Sequence, residues 1–223
     1  MLTLLLPLLT FFGLAFAPTA AWANPKAIRV PLTIHVGNEG GRSVVREHHI
    51  VDSVRRANRD LARFGIHLWI RDIVPMQAGP RVESSDERLD LARETASDGS
   101  VHVFFVDRVA LANPRKGDRR VSGMHWRYHG FDARIRAREY LVVARDAPNT
   151  TLVHEVGHAF GLSHDSDTDN LMCSCRRGVD PAFDSRQGRR LRGGARRFMS
   201  RHGRLAKRRA AQRAARSRRS SRS

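Results

Sequence analysis

The stretch TLVHEVGHAFGLSHD, residues Thr151–Asp165, brings three histidines, one glutamate and two glycines together within fifteen residues. On an α-helix, positions i and i+4 project from the same face one turn apart. His154 and His158 can therefore hold one metal ion through their imidazole nitrogens. Glu155 lies beside the first of these ligands, where its carboxylate can accept a proton from a metal-bound water. The spacing predicts a catalytic zinc site on a helix.

Gly161 supplies the turn that such a site needs. A helix that continued straight would carry His164 too far along its axis to reach the ion held by His154. Glycine readily adopts the left-handed conformation that ends a helix and turns the chain back. His164 can then complete a three-histidine site, which leaves one coordination position open for water or substrate.

These residues carry a resemblance to a known family. The run HEVGHAFGLSH resembles the metzincin form H-E-x-x-H-x-x-G-x-x-H, and such proteins have a methionine turn downstream. Here DNLMCS places Met172 eight residues after His164, a short spacing that is similar to the matrixin branch and its bacterial relatives. The resemblance implies that His154, His158 and His164 are zinc ligands. It also implies that Glu155 is the general base and that Met172 forms a hydrophobic floor under the metal.

The resemblance further implies a fold and an activity. The expected fold class is α+β, a metzincin-like (zincin) fold with a twisted, mixed five-stranded sheet, an active-site helix and a small C-terminal subdomain. We expect the catalytic domain to cover residues 24–199, with an upper subdomain to about 164 and a lower one over 165–199. The lower subdomain would hold the methionine turn and a final helix. The implied activity is that of a zinc endopeptidase acting on a peptide or protein substrate.

The spacing of apolar residues predicts the same order of elements. Short apolar runs indicate strands over 27–36, 66–74, 101–107 and 139–146. Helical spacing indicates helices over about 45–65 and 86–96, another that begins near Thr150, and a last one over 181–199. The run VHVFFVD is almost wholly apolar, which is typical of a strand covered on both faces.

A substrate-binding edge is expected at VSGMHWRYHGF, residues 121–131. This segment is strand-like but contains glycines and polar residues, which suits the edge of a sheet. An extended peptide could bind there as an added strand. The candidate substrate contacts are Ser122, Gly123, Met124, His125 and Trp126. For Trp126, packing and lining of a cleft both stay open.

Two features depart from patterns seen among metzincins. Ser174 stands two residues after Met172, where some members have a tyrosine as an extra zinc ligand. Both cysteines, Cys173 and Cys175, lie beyond that methionine, so a pro-segment cysteine that caps the zinc is not expected. The sequence leaves open whether the two form a disulfide, remain free thiols or contact the zinc.

Asp165 follows the last ligand directly. Its carboxylate could accept a hydrogen bond from a ligand imidazole or cap the local chain. The run DSDTDN, residues 165–170, has carboxylates at alternating positions, as calcium loops do. It lacks the glycine expected at the sixth position, and the twelfth is Arg176 rather than glutamate. A polar turn is therefore the better interpretation, and calcium is weakly supported.

The N-terminal segment predicts export. An uncharged apolar run from Leu2 to Ala17 is followed by small residues that end in Ala21-Trp22-Ala23. This pattern resembles a signal peptide of residues 1–23 cleaved after Ala23, although no basic residue precedes the apolar run. We expect an exported protein, periplasmic, surface-bound or secreted. No transmembrane span is expected after removal of the signal.

The positive charge is concentrated at the C-terminal end. Residues 1–175 contain 22 Lys/Arg and 20 Asp/Glu, whereas residues 176–223 contain 18 and 2. We expect residues 200–223, with ten basic and no acidic side chains, to form a disordered tail. The tail suggests an alternative function, an exported protein that binds an anionic polymer or envelope surface and has a silent zinc site. It lacks aromatic residues for base stacking, so no specific nucleic acid is expected.

Overall fold

A mixed five-stranded sheet lies at the centre of the protein. The computed structural model describes residues 27–111, 117, 119–175 and 177–220, with the backbone alone over 205–210 and 212–220. In chain order the elements are β1 (Ile28–Val36), β2 (Asn38–Glu39), β3 (Arg42–Ser43), α1 (Glu47–Ala62), β4 (Ile66–Pro75), β5 (Arg81–Val82), α2 (Ser85–Glu94), β6 (Val101–Val106), β7 (Arg108–Leu111), β8 (Arg119–Val121), β9 (Gly123–Arg127), β10 (Glu139–Ala144), α3 (Thr151–Ala159) and α4 (Ser185–Ser220).

The strands of this sheet follow the order β4-β1-β6-β10-β9. The first four are parallel, and β9 pairs antiparallel with β10 at one edge. The predicted fold class, α+β with a mixed five-stranded sheet, is confirmed. Strand β9 has the edge position that its glycines and polar residues indicated.

Helices cover both faces of the sheet. Helix α3 approaches β9 from one face, where Gly123 lies against Thr151 and Glu155. Helix α2 lies on the other face, where the Tyr140 hydroxyl donates a hydrogen bond to the Arg88 carbonyl at 2.8 Å. Because both faces are covered, every residue of β6 and β10 is buried. Helix α3 follows β10, so this buried strand next to the sheet edge positions the helix that carries the histidine motif.

Five short strands were not anticipated from the sequence. Strands β2 and β3 form a hairpin, and β5, β7 and β8 form a separate three-stranded sheet. Each has only two to four residues, too few for an alternating apolar pattern to stand out. Pairing with neighbouring segments, rather than local composition, creates them.

The final helix is longer than the sequence predicted, which was a helix that ends near Met199 before a disordered tail. Helix α4 begins at Ser185 and its backbone stays helical to Ser220. The segment is rich in alanine and arginine, which both have high helix propensity, and this accounts for the continuation. Gly194 does not interrupt the helix, because its missing side chain lets α4 pack directly on the Phe160 backbone at the end of α3.

The described helices include none that is both long enough and apolar enough to cross a membrane. The predicted signal peptide, residues 1–23, lies outside the described residues.

A buried pair of histidines lies on the α2 side of the sheet. His35 on β1 and His102 on β6 are 5% and 3% exposed. The ring nitrogens His35 Nε2 and His102 Nδ1 are 2.8 Å apart, and the His35 ring stacks on Phe104 at 4.2 Å. His102 Nε2 lies 2.9 Å from the Ala96 carbonyl, to which it donates. Burial, reinforced by His102, lowers the pKa of His35 from 6.5 to about 3.

This low pKa makes the free energy of unfolding depend on pH. Below pH 6.5 the unfolded chain protonates His35, whereas the folded chain does not until about pH 3, so stability falls as the pH drops through that window. Between pH 7 and pH 5 the parent should lose about 2 kcal/mol more than a His35→Gln variant. Urea unfolding at both pH values measures this difference. His129→Gln, at an exposed histidine, should behave like the parent. An equal loss in parent and His35→Gln would contradict the prediction.

Candidate metal centre and active site

Three histidine side chains converge at the end of α3. The Nε2 atom of His158 lies 3.2 Å from that of His154 and 3.1 Å from that of His164. Within the described part of the chain, this is the one group of three metal-ligand side chains whose atoms all lie within 4.8 Å of one another. Exposure increases from the buried His154 through His158 to the exposed His164, so the group opens to solvent on one side.

A turn at Gly161 brings the third histidine to the other two. Gly161 has a φ of 95°, in the left-handed region. Its N–H donates to the His158 carbonyl and the Leu162 N–H donates to the Gly157 carbonyl, both at 2.9 Å. These two bonds form a Schellman motif that ends α3 and reverses the chain toward His164.

Backbone carbonyls determine which nitrogen of each helical histidine is available. His154 Nδ1 lies 2.7 Å from the Leu171 carbonyl, and His158 Nδ1 lies 2.9 Å from the Leu162 carbonyl. A carbonyl only accepts, so each Nδ1 carries the proton and each Nε2 presents a lone pair. Lone pairs that face each other at 3.2 Å repel unless a cation lies between them. Two nitrogens bound to one tetrahedral zinc are about 3.3 Å apart, so the three histidines fit zinc.

Burial also keeps these histidines in the form that binds a metal. Desolvation lowers the pKa of His154 to about 3, despite the favourable hydrogen bond to Leu171. The same cause lowers the pKa of His158. Both rings are therefore neutral at pH 7, and no proton has to be displaced when a cation binds.

Glu155 is enclosed between α3 and the edge strand. It is 4% exposed, and its carboxylate accepts a hydrogen bond from the backbone N–H of His125. A Cβ at position 123 would lie 3.0 Å from Glu155 Oε1, 2.6 Å from Thr151 Cγ2 and 2.8 Å from the Val142 carbonyl oxygen. Only glycine therefore fits at this point of β9. Burial raises the pKa of Glu155 to about 8, although the charge of Arg177 and the hydrogen bond oppose the change.

Met172 packs under the helix between the two ligands that α3 carries. It is fully buried, and its Sδ atom would lie 2.5 Å from a Cβ at Gly157. The Met172 carbonyl accepts a hydrogen bond from the Asp165 N–H at 3.0 Å, which joins the methionine turn to the residue after His164. The close packing at Gly157 was not predicted from the sequence. The signal was present, because the helix has a glycine in the middle of its histidine motif.

Asp165 takes part in the local turn. Its Oδ1 accepts a hydrogen bond from the Asp167 N–H at 3.0 Å, and its Oδ2 lies 3.5 Å from Gln187 Nε2. Asp167 Oδ1 accepts from the Asp169 N–H at 2.9 Å in the same way. The run is therefore a succession of Asx turns, which agrees with a polar turn, and calcium binding stays a weakly supported prediction. Capping of the chain is the better supported of the two roles considered for Asp165.

Cys173 and Cys175 form a disulfide directly after Met172. A disulfide has no thiolate to offer, so in this state neither cysteine can bind the zinc. The sequence left open a disulfide, free thiols or contact with zinc, and the structure contains the disulfide.

The edge strand presents backbone groups to solvent at alternate residues. Tyr128 N–H donates to the Arg138 carbonyl, and the Ser122 carbonyl accepts from Ala144 N–H, both at 2.9 Å. Since the pattern alternates in an antiparallel pair, Ser122, Met124 and Trp126 direct their backbone groups to β10. Gly123 and His125 direct theirs to the open edge.

Two side chains of β9 pack inward and do not line the open edge. Trp126 stacks on Tyr140 with ring centroids 5.1 Å apart, and Met124 is buried, so both contribute to packing. The five residues of segment 122–126 stay predictions as substrate contacts, with Gly123 and His125 the best placed.

Two further residues near the site were missed by sequence reasoning. Glu139 is buried, and its carboxylate contacts His125 Nε2 at 2.9 Å and Arg201 at 2.7 Å. Burial alone would raise the pKa of the Glu139 carboxyl, but the hydrogen bond from His125, the His202 ring 3.8 Å away and the charge of Arg201 lower it. Arg177, in the loop after the disulfide, lies near Glu155. Neither residue belongs to a local motif, since their partners come from distant parts of the chain.

Comparison with known proteins identifies the fold. Metalloproteinase-II from Bacteroides fragilis is similar with a TM-score of 0.53 and 14% sequence identity, covering 75% of this chain and 53% of its own. Archaemetzincin from Methanopyrus kandleri gives a TM-score of 0.51 and 17% identity over 78% of this chain and 99% of its own. Mirolysin, in complex with a compound, gives a TM-score of 0.51 and 14% sequence identity over 78% of this chain and 96% of its own.

These likenesses show a metzincin-like fold. No family model matches the sequence. No curated protein matches it either. This chain spans about half the length of the Bacteroides fragilis protein. The finer assignment to a matrixin-like branch stays a prediction.

Substituting Gly157 tests the contact between α3 and the methionine turn. A Gly157→Ala variant should be less stable by about 1–3 kcal/mol, because the added methyl group displaces the buried Met172 side chain. Gly203→Ala is the matched control, since a Cβ at this helical glycine meets nothing within 4 Å. That variant should be as stable as the parent or up to about 1 kcal/mol more stable. Urea unfolding measures both, and a Gly157→Ala variant of undiminished stability would contradict the packing.

Zinc should stabilise the folded protein through the three histidines. At a free concentration a hundred times its Kd, zinc should add about 2.7 kcal/mol to the free energy of unfolding and raise the Tm. Thermal unfolding of chelator-treated protein with and without zinc measures the effect. His164→Ala should remove most of the shift, and His129→Ala should retain it. Equal shifts in the two variants would rule out this site.

Proposed function

We propose that this chain is an exported zinc-dependent endopeptidase of the matrixin-like metzincin type. The observation that carries the proposal is the convergence of three histidine Nε2 atoms beside Glu155. The Nε2 of His158 lies 3.2 Å from that of His154, on the same helix, and 3.1 Å from that of His164, after the turn. A structural zinc site prefers four protein ligands, whereas three ligands leave a position for water or substrate. The similarity to solved structures named as metalloproteinase and archaemetzincin supports the same activity.

Each residue of the centre has a defined part in peptide hydrolysis. Zinc held by the three histidines would supply a Lewis acid that polarises the scissile carbonyl and lowers the pKa of water to about 7. Glu155 accepts the proton of the attacking water and returns it to the leaving amine. The Leu162 and Leu171 carbonyls hold the two helical imidazoles in the required tautomer.

The substrate would bind in an extended form along β9. This strand pairs with β10 on one side only, and the outward backbone groups of Gly123 and the outward carbonyl of His125 can bond to a peptide strand. Because the His125 N–H donates to Glu155, the edge strand also aligns the general base with the bound peptide. An edge strand that touches the catalytic carboxylate suits an endopeptidase, which binds substrate on both sides of the scissile bond.

Export is part of the proposal and rests on residues 1–23, whose sequence resembles a signal peptide. A disulfide between Cys173 and Cys175 is compatible with an oxidising compartment. Binding of an anionic polymer through the basic C-terminal segment is the alternative. Glu155 beside the ligands argues against a silent zinc site, so we favour the peptidase.

Replacing the general base tests the proposal. A Glu155→Gln variant should keep one zinc per chain and the parent fold, but its kcat/KM should fall about 10²–10⁴-fold because proton transfer is lost. Zinc content and cleavage of a mixed peptide library measure the two effects. Glu47→Gln, on the exposed first turn of α1, is the matched control and should cleave like the parent. Full turnover by a zinc-loaded Glu155→Gln variant would exclude the mechanism.

A further inference from the structure

Arg177 is held in a fixed position beside the metal centre. Its Nε donates a hydrogen bond to the Leu171 carbonyl at 3.1 Å, and its Nη1 donates to Thr150 Oγ1 at 3.3 Å. The same Leu171 carbonyl lies 2.7 Å from His154 Nδ1, so Arg177 and a zinc ligand share one backbone acceptor. Thr150 immediately precedes α3. The guanidinium therefore lies along the N-terminal part of the active-site helix.

The charge of this guanidinium has no partner of opposite sign in contact with it. Both of its acceptors are neutral, and among the described residues no carboxylate lies within 4.0 Å of it. Two bonds use two of the five N–H donors of an arginine. The side chain is half-buried, and burial lowers its pKa, with the charge of Glu155 opposing the change. Partial burial of an unpaired charge is unfavourable, and an anionic ligand would offset that cost.

The position of Arg177 relative to the reacting groups narrows the class of ligand. Arg177 and the metal-site residue His154 bond to the same Leu171 carbonyl, which places the guanidinium beside the metal centre, and its charge opposes the rise in the pKa of Glu155. The group that enters this centre in the proposed function is a peptide. The Nε and Nη1 atoms of Arg177 are bonded to the protein, whereas its Nη2 atom has no such bond to the residues that the structure describes. A planar guanidinium with free N–H donors can bind the two oxygens of a carboxylate.

We propose that Arg177 binds a carboxylate of the substrate next to the scissile bond, so that the enzyme selects peptides with an acidic group there. This inference rests on the proposed function and names its substrate class. The carboxylate can come from an aspartate or glutamate side chain or from a free C-terminus. Arg177 acts as a specificity-determining residue because it contacts substrate.

Alternatively, the charge of Arg177 could act only on Glu155, by stabilising its carboxylate without contacting the substrate. In that case the loss of Arg177 would slow the cleavage of every peptide by the same factor. Binding of a substrate carboxylate instead makes the loss depend on the substrate. The ratio of rates for an acidic and a neutral peptide of equal shape separates the two roles.

The experiment compares matched peptides on matched variants. Fluorogenic peptides carry glutamate or glutamine at the residues flanking the scissile bond, and a second pair carries a free or amidated C-terminus close to it. The proteins are the parent, Arg177→Gln, Arg177→Lys and the control Arg55→Gln, at an exposed arginine paired with Asp52 on α1. Zinc content and Tm are measured for each protein.

The parent and Arg55→Gln should prefer the acidic member of one pair by about tenfold or more in kcat/KM. In Arg177→Gln this ratio should fall to near one, and Arg177→Lys should keep part of it. The pair that shows the preference identifies the source of the carboxylate. No preference in the parent, or the same ratio in Arg177→Gln, would overturn the inference.

Direct binding separates this inference from the proposed function. Fluorescence polarisation of the labelled glutamate and glutamine peptides is measured with zinc-loaded Glu155→Gln protein, alone and combined with Arg177→Gln. If the parent cleaves neither peptide, the proposed function fails. Tighter binding of the acidic peptide that depends on Arg177 would then still support a carboxylate site. Equal binding of both peptides would overturn it.

Discussion

Two hydrogen bonds from histidine rings to backbone carbonyls underlie the rest of the site. They place the proton of His154 and His158 on Nδ1 and so direct both Nε2 lone pairs to one point. The acceptors belong to Leu171 and Leu162, which lie outside α3, so the ligand geometry requires the chain to return twice to the helix. The turn at Gly161 and the methionine turn are those two returns, and each is needed for the tautomer as well as for the shape.

Close backbone packing at three glycines makes these returns possible. Gly157 admits Met172 beneath α3, Gly123 admits the Glu155 carboxylate against β9, and Gly194 lets α4 rest on the end of α3. Each glycine brings a different element to the same short helix. Because interiors are densely packed, a single methyl group at any of them would push one element away from the centre.

Sequence reasoning succeeded where the chemistry is local and failed where the partner is distant. Apolar runs located four of the five sheet strands along the chain, and the glycines and polar residues of β9 placed it at an edge. The final helix is longer than expected, because the high charge of the segment had been given more weight than the helix propensity of alanine and arginine. Trp126 could not be assigned, since its stacking on Tyr140 depends on the pairing of two strands.

The sequence by itself determined which three histidines meet, that Glu155 lies beside them and which turn joins them, because all lie within eleven residues, 154–164, where helix geometry relates spacing to direction. Only the tertiary structure decided what surrounds them. Other elements contribute Leu171, Arg177 and Glu139 to the surroundings of the centre. Hydrogen bonds between residues far apart in the chain produce no periodic pattern in the sequence, so these contacts could not be predicted from it. The state of Cys173 and Cys175 was settled in the same way, because spacing alone permits both a disulfide and free thiols.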